Sequence, residues 1–273
     1  MREPLASTVR IARRAGGLTA DPRRVPEEVP VAFSVSGTTH AVMMASPADL
    51  EDFAVGFCLT EGIAGSAADV EAVETVDLGE GVELRLTLAA PAARAFEARR
   101  RRLAGPVGCG LCGIESIEEA LRGVRDVADN RLALDAAGVV RAVRALAERQ
   151  PLHRATGAVH AAGFYRPGEG LVAAREDVGR HNALDKLAGA LARGGQDGAG
   201  GAVVVTSRVS VEMVQKAAAI GAPIVVAVSA PTALALRTAE AAGMTLVALV
   251  RGEEFDIFTR PERIDPGADR HVA

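Results

Sequence analysis

The sequence predicts an α/β protein, with a helix-covered sheet in its C-terminal half and a smaller α+β domain before it. Two patterns predict this. Short Val-rich runs at residues 202–206, 224–228 and 245–250 alternate with amphipathic stretches at 211–220 and 232–242. Unbroken apolar strands between helices belong to a sheet buried on both faces. Upstream, Val82, Leu84, Leu86 and Leu88 alternate with Glu83, Arg85 and Thr87, the period of a half-buried strand. At 273 residues, 49% of them hydrophobic, the chain can bury a full core. Only 3% are aromatic and none is Trp, so that core is built from Ala, Val and Leu.

The pattern divides the chain into a loosely held arm (1–28), an N-terminal α+β domain (29–104), a loop with connecting helices (105–150) and an α/β domain (151–273). Residues 29–35 and 40–45 read as two strands around Ser36-Gly37-Thr38. Ser46-Pro47 then has the form of a helix start, Ser as N-cap and Pro at the first turn. Leu50, Phe53, Ala54, Phe57 and Cys58 share one face of that helix, and Gly62 ends it. A helix over 91–103 ends in Arg99-Arg100-Arg101-Arg102 and is broken by Gly105-Pro106. A short helix is expected over 114–121, and another, capped by Asp135, runs to 150. Strands at 158–165 and 171–174 pair around Arg166-Pro167-Gly168, and a helix follows over 179–193.

Charge and targeting signals narrow the function. A net charge of −4 argues against a general nucleic-acid binder. Of 31 basic residues only Lys186 and Lys216 are lysines. No apolar stretch is long enough to span a membrane, and the basic N-terminus lacks a signal-peptide core. Free thiols without an export signal point to the cytoplasm.

The chemistry concentrates in three places. Gly108-Cys109-Gly110-Leu111-Cys112-Gly113 puts two thiols three residues apart on nearly bare backbone. Structural zinc would need two further ligands at suitable spacing. A thioredoxin-like dithiol would open a long helix early in a domain. A sulfur carrier fits the accessible loop better, since a persulfide needs an exposed thiolate favoured by nearby cations. Cys58, on an apolar face, reads as structural.

The second place is Glu176-Asp177-Val178-Gly179-Arg180-His181-Asn182-Ala183-Leu184-Asp185-Lys186, charged groups packed around a strand-to-helix turn where open α/β sheets bind ligands. The plain alternative is an acidic first turn with Asp185 and Lys186 facing solvent. The third comprises Thr206-Ser207-Arg208 and Ser229-Ala230-Pro231-Thr232, hydroxyl-bearing helix openings suited to anions or to simple N-capping. With Lys216 nearby and Arg251-Gly252 ending the last strand, these would frame a pocket for a phosphorylated ligand.

Together these segments resemble one family, the FdhD-type formate dehydrogenase accessory sulfurtransferases. The resemblance runs from about residue 27 to 263 and is carried by EEVPVAF, MMASPADLEDFAVGFCLTEGI, RRRLAGPVGCGLCGIE, EDVGRHNALDK, TSRVSVEMVQKAA, AVSAPTALA and TLVALVRG followed by FTRPER. It implies a persulfide on Cys109, with Cys112 as second thiol. The sulfur would come from a cysteine desulfurase and go to a bis-molybdopterin guanine dinucleotide molybdenum cofactor destined for formate dehydrogenase. The family's cofactor segment falls on Leu249-Val250-Arg251-Gly252-Glu253-Glu254, and a guanine nucleotide would mimic the cofactor there. The two glutamates would repel phosphates but suit guanine or ribose. The implied fold is a three-layer cytidine-deaminase-like domain, as a homodimer. The deaminase signature itself is missing, because His160-Ala161-Ala162 is not H-x-E. A cofactor-binding chaperone without sulfur chemistry and a metal-dependent enzyme are the competing readings.

Overall fold

The computed structural model describes residues 1–103 and 123–267, with side chains only to residue 98 in the first segment. Cys109, Cys112, the Gly105-Pro106 break and the helix expected over 114–121 lie outside the described residues, as do the side chains of the four arginines before them.

The N-terminal unit is a four-stranded sheet of order β4-β3-β6-β5, built from β3 (Val29–Val35), β4 (Thr38–Ala45), β5 (Val70–Asp77) and β6 (Val82–Leu88). Alternation along β6 turns Leu84 and Leu86 inward onto helices α1 (Leu50–Thr60) and α2 (Ala90–Leu103), where they meet Phe33, Phe53, Phe57 and Phe96. Phe33 stacks on Phe57 at 4.1 Å and meets Phe53 edge-on at 4.9 Å, so three of the few aromatics make one cluster.

The C-terminal unit is a six-stranded mixed sheet of order β13-β12-β11-β10-β8-β9. Its strands are β8 (His160–Arg166), β9 (Gly170–Asp177), β10 (Ala202–Val205), β11 (Ile224–Ala227), β12 (Thr245–Arg251) and β13 (Glu254–Thr259). Strands β10, β11 and β12 are parallel, while β8 and β13 run against their neighbours. Side chains of successive residues serve opposite faces. Val203 and Val205 pack under α5 (Arg180–Arg193), α6 (Val211–Ile220) and α7 (Ala233–Ala241). Ala202 and Val204 meet Val139, Ala142 and Leu146 of α3 (Ala136–Glu148) on the other face. The α3 helix, N-capped by Asp135 onto the Gly138 amide at 2.7 Å, is thus a layer of this unit rather than part of a connecting segment. A short helix, α4 (Pro151–Thr156), leads into β8, and a two-residue parallel pair joins β7 (Leu134–Asp135) to β14 (Ile264–Asp265).

Three expectations change. The supposed loose arm forms a hairpin, β1 (Leu5–Arg14) with β2 (Gly17–Pro26), turned at Gly17 with φ +116°. Arg10 binds Asp21 through two 3.0 Å bonds and Arg23 donates to the Thr156 carbonyl. Next, Ser46-Pro47 does not cap α1. That helix starts at Leu50 behind Asp49 in the left-handed region (φ 53°), without a side-chain cap. Finally, β13 pairs with β12 beyond the last strand read from sequence, through two register shifts.

The two units meet where α1 crosses α5 at backbone contact. An added Cβ on Gly56 would lie 1.7 Å from the Asp185 carbonyl oxygen, and one on Gly189 would lie 1.9 Å from that of Asp52. Only glycine permits this approach.

Candidate functional site

The sheet brings the predicted ligand segments to one edge. The carboxyl ends of β9, β10, β11 and β12 point the same way, and each opens into a turn: Val178-Gly179 before α5, residues 206–210 before α6, residues 228–232 before α7, and the β12–β13 turn. His160 joins them, because antiparallel β8 begins there. Ligands in open α/β sheets lie outside such strand ends. The other end of the sheet takes the chain that follows the thiol segment. There Val127 donates to the Ala242 carbonyl and Asn130 to that of Ala199, while Arg263 binds the carbonyls of Val127, Ala128 and Asn130.

Of the eleven-residue charged motif, Arg180 and His181 lie half-buried at the edge; the other charged and polar side chains are structural. Glu176 accepts the amides of Leu152 and His153, both at 2.8 Å, and closes the N-terminus of α4; burial raises its pKa. Asp177 pairs with Lys186 at 2.6 Å with both side chains fully buried. It also accepts the amides of Ser46 and Gly179 and the side chain of Asn182, and Lys186 donates to the Ser46 carbonyl. Ser46, expected to cap a helix, instead accepts the Val178 amide across the junction between units.

Asp185 and Lys186 therefore do not face solvent. Lys216, expected in the ligand pocket, is buried on Asp185 at 2.8 Å, Glu61 at 2.6 Å and Thr60 at 3.1 Å. Burial works to lower its pKa, but the two carboxylates prevail and hold it above the usual lysine range. Both lysines of the chain are thus ion-paired joints between α1 or the Ser46 turn and α5 or α6. A lysine used only there, in a chain that otherwise uses arginine, was the available signal: a compact ammonium on a flexible stem fits where a planar fork does not.

The hydroxyls are also mostly occupied. Thr206 Oγ1 accepts the Ala161 amide at 2.9 Å, Ser207 donates to the Arg208 carbonyl, and Thr232 caps the Ala235 amide. Arg208 is exposed. His181 Nε2 is 2.8 Å from Glu212 Oε2 and 3.4 Å from Ser210 Oγ, and the His181 hydrogen bond holds the Glu212 carboxyl below its usual range. Among the described residues Arg180 Nε is buried with no hydrogen-bond partner. An unsatisfied buried donor costs about 1–3 kcal/mol.

The segment 249–254 makes the tip of the β12–β13 hairpin. Arg251 faces Glu254 across a two-residue turn with Gly252 at φ +63°, where glycine is the suitable residue. Leu249 itself lies at φ +59° on a bulge, a strained state for a branched side chain. Leu249, Arg251, Glu254, Phe255 and Asp256 line a cleft of about 400 Å³. Glu253 pairs with Arg144 of α3, which removes one of the two glutamates from the ligand's side. The cleft offers one guanidinium and two carboxylates, a set able to hold a phosphate and accept base N–H groups. Among the described residues no group of three or more His, Cys, Asp or Glu is placed to hold a metal ion, and no helix is long and apolar enough to cross a membrane.

The FdhD/NarQ family model matches residues 26–265. The chain belongs to the FdhD/NarQ family. It is 59% identical over 262 residues to the sulfur carrier protein FdhD of Agrobacterium fabrum, covering 95% of this chain and 97% of that one. To the protein of the same name from Brucella abortus it is 55% identical over 254 residues, covering 93% and 94%. Among solved structures, a formate dehydrogenase accessory protein from Desulfotalea psychrophila superposes with a TM-score of 0.73 at 27% identity, covering 95% and 99%. In this FdhD/NarQ chain Cys58 is structural. It is fully buried in α1, and burial, with the Asp185 charge behind it, pushes its thiol up to about 12. A buried protonated thiol is inert. Iodoacetamide treatment of the native protein is expected to leave the Cys58 peptide unmodified and to label it only in denaturant; labelling in the native state would contradict the burial.

Proposed function

We propose that this FdhD/NarQ protein is a sulfur carrier that serves formate dehydrogenase maturation. Cys109 takes persulfide sulfur from a cysteine desulfurase, with Cys112 as its second thiol. The acceptor is the molybdenum of a bis-molybdopterin guanine dinucleotide cofactor, bound as substrate. In the loading step the Cys109 thiolate attacks the outer sulfur of the donor persulfide. A new S–S bond forms, the donor S–S bond breaks, and the donor leaves as its thiolate, so no outside oxidant is required. The cofactor's guanine end is assigned to the cleft of Leu249, Arg251, Glu254 and Asp256, next to Val250, Gly252 and Glu253, and its anionic portion to the edge at Arg180, His181 and Arg208. The layers around the sheet are taken as a cytidine-deaminase-like arrangement, and the working state as a cytoplasmic homodimer.

One observation carries this reading: the ligand segments, distant in sequence, converge on one sheet edge in a chain whose relatives bear the name sulfur carrier protein. The test is mass spectrometry of the thiol-loop peptide after incubation with a desulfurase and cysteine. Wild type should gain about 32 Da per added sulfur, and Cys109→Ala should gain none at that site. Full loading of Cys109→Ala would remove Cys109 from its role. Formate dehydrogenase maturation unchanged in that variant would favour a chaperone that only binds cofactor.

A further inference from the structure

We propose that the β1–β2 hairpin is an arm that docks on a second copy of this chain, its apolar side laid against the outer face of that copy's N-terminal sheet. This deepens the homodimer reading above by naming the two surfaces, and it does not depend on the sulfur chemistry.

The hairpin is inside out for a monomer. Its register pairs Val9 with Pro22, Ile11 with Ala20 and Arg13 with Leu18. Side chains alternate between the faces of a strand, so these residues share one side. Val9 and Ile11 are each 73% exposed and Leu18 is 71% exposed. The opposite side carries Thr8, Arg10, Asp21 and Arg23. That polar side is the one turned to the chain's own body, where Arg23 donates to the Thr156 carbonyl at α4. Beyond α4 the two strands pack chiefly on each other. A two-stranded ribbon is marginal in water without a further layer on its apolar face, and a contiguous exposed apolar stripe marks a contact surface.

The outer face of the N-terminal sheet fits this stripe. Its inner face is spent on α1 and α2. On the outer face Met44 lies beside Pro30, and Val42, Ala32, Glu83 and Val76 form one row across all four strands. Val42 and Met44, on the edge strand β4, are both 48% exposed. The arm's apolar side faces away from its own body, so the sheet it meets belongs to another molecule. Charge favours a second copy. Residues 5–26 carry five arginines and one carboxylate, Asp21, whereas residues 70–88, which make β5, β6 and their turn, carry five carboxylates and one arginine, Arg85. The arm is thus net +4 in a chain of net −4, which leaves −8 on the remainder and draws in the arm of another copy. Arg85 sits between Glu74 at 3.6 Å and Glu83 at 3.0 Å, so this outer-face trio keeps one negative charge in excess.

Size points to reciprocal exchange. Residues 7–14 and 17–24 make a ribbon face about 27 Å long and about 10 Å wide, or about 270 Å². One arm on an unrelated partner would bury about 540 Å² in all, less than a specific interface needs, whereas two reciprocal arms bury about 1,100 Å² and clear that threshold of about 1,000 Å².

Sedimentation velocity of the full-length protein at micromolar concentration should show a dimer, and high salt should loosen it. The double variant Val9→Glu with Ile11→Glu should weaken dimerisation about a hundredfold or more. Its circular-dichroism spectrum should match wild type, because both side chains are exposed. Val42→Glu, on the receiving sheet, should weaken dimerisation in the same way. Hydrogen exchange tests the contact without any substitution: on dilution of the wild type, amides of β1, β2 and β4 should exchange faster while those of β11, central in the other sheet, hold. A monomeric wild type overturns the proposal and leaves an acidic partner protein as the arm's seat. A dimer that survives Val9→Glu with Ile11→Glu overturns the role of the arm, and one that survives Val42→Glu overturns the receiving face. Exchange in β1 and β2 that is indifferent to concentration overturns both. None of these measurements uses a sulfur donor, so this interface and persulfide loading of Cys109 can fail independently.

Discussion

Gly189→Ala is expected to destabilise the protein by about 3 kcal/mol or more, because the helices it separates touch at the backbone. The new methyl would lie 1.9 Å from the Asp52 carbonyl oxygen and 2.8 Å from the Gly56 amide nitrogen. Neither neighbour is the movable end of a side chain, so α1 and α5 must move apart as whole elements. Their separation would also stretch the contacts that cross the same seam: Asp185 to Thr60 at 2.5 Å, Arg193 to Asp52, and Arg175 to Asp52 at 2.6 Å. Gly56→Ala should behave alike. For a chain of this size the melting temperature should fall by about 6–12 °C. Gly16→Ala, whose Cβ would meet nothing within 4 Å, should stay within about 0.5 kcal/mol of wild type. Thermal denaturation of the three variants checks this, and a Gly189→Ala protein as stable as Gly16→Ala would refute the backbone contact.

Lys216→Met should cost about 3–5 kcal/mol, the usual consequence of stranding one partner of a buried ion pair. Methionine matches the lysine stem but leaves Asp185 fully buried beside Thr60, with Glu61 losing the same partner. Burial already raises the Asp185 pKa, and the Lys216 charge is the main counterweight. Without it the folded-state value rises further above the unfolded value of about 3.9. The folded variant then binds a proton that the unfolded chain has released, so its stability must fall as pH rises through that interval. Chemical denaturation from pH 5 to pH 8 should show a steeper decline for Lys216→Met than for wild type. The double variant Lys216→Met with Asp185→Leu should recover much of the loss, since an apolar pair replaces a lone charge. Parallel pH profiles would show that Asp185 is not carrying the uncompensated charge.

The C-terminal unit was legible because its signals are local. The helix expected over 211–220 is α6, and strands expected at 202–206 and 224–228 are β10 and β11 within one residue. Val-rich runs can only be buried, and the amphipathic stretches between them supply the cover. The hairpin of β1 and β2 was missed because its apolar side chains, Val9, Ile11 and Leu18, remain exposed and so mark no core face. β13 was missed because Glu254 and Asp256 break the apolar pattern on an edge strand, where one flank needs no partner. At Ser46 the local N-cap signal was overruled by contacts with Asp177 and Val178, residues more than a hundred positions away.

By itself the amino-acid order determined the α/β character, the positions of most helices and strands, the family, and the pair of thiols at 109 and 112 on which the proposed activity rests. These follow from residue type and spacing along the chain. Only the tertiary structure decided which charged residues are buried as joints and which stay at the sheet edge. In the motif at 176–186 carboxylates and a lysine look alike in one dimension, yet Asp177, Asp185 and Lys186 are buried as joints between two units while Arg180 and His181 are half-buried at the sheet edge. The difference lies in what packs against each side chain, since burial and pairing depend on the elements α1, α5 and α6 meeting in space.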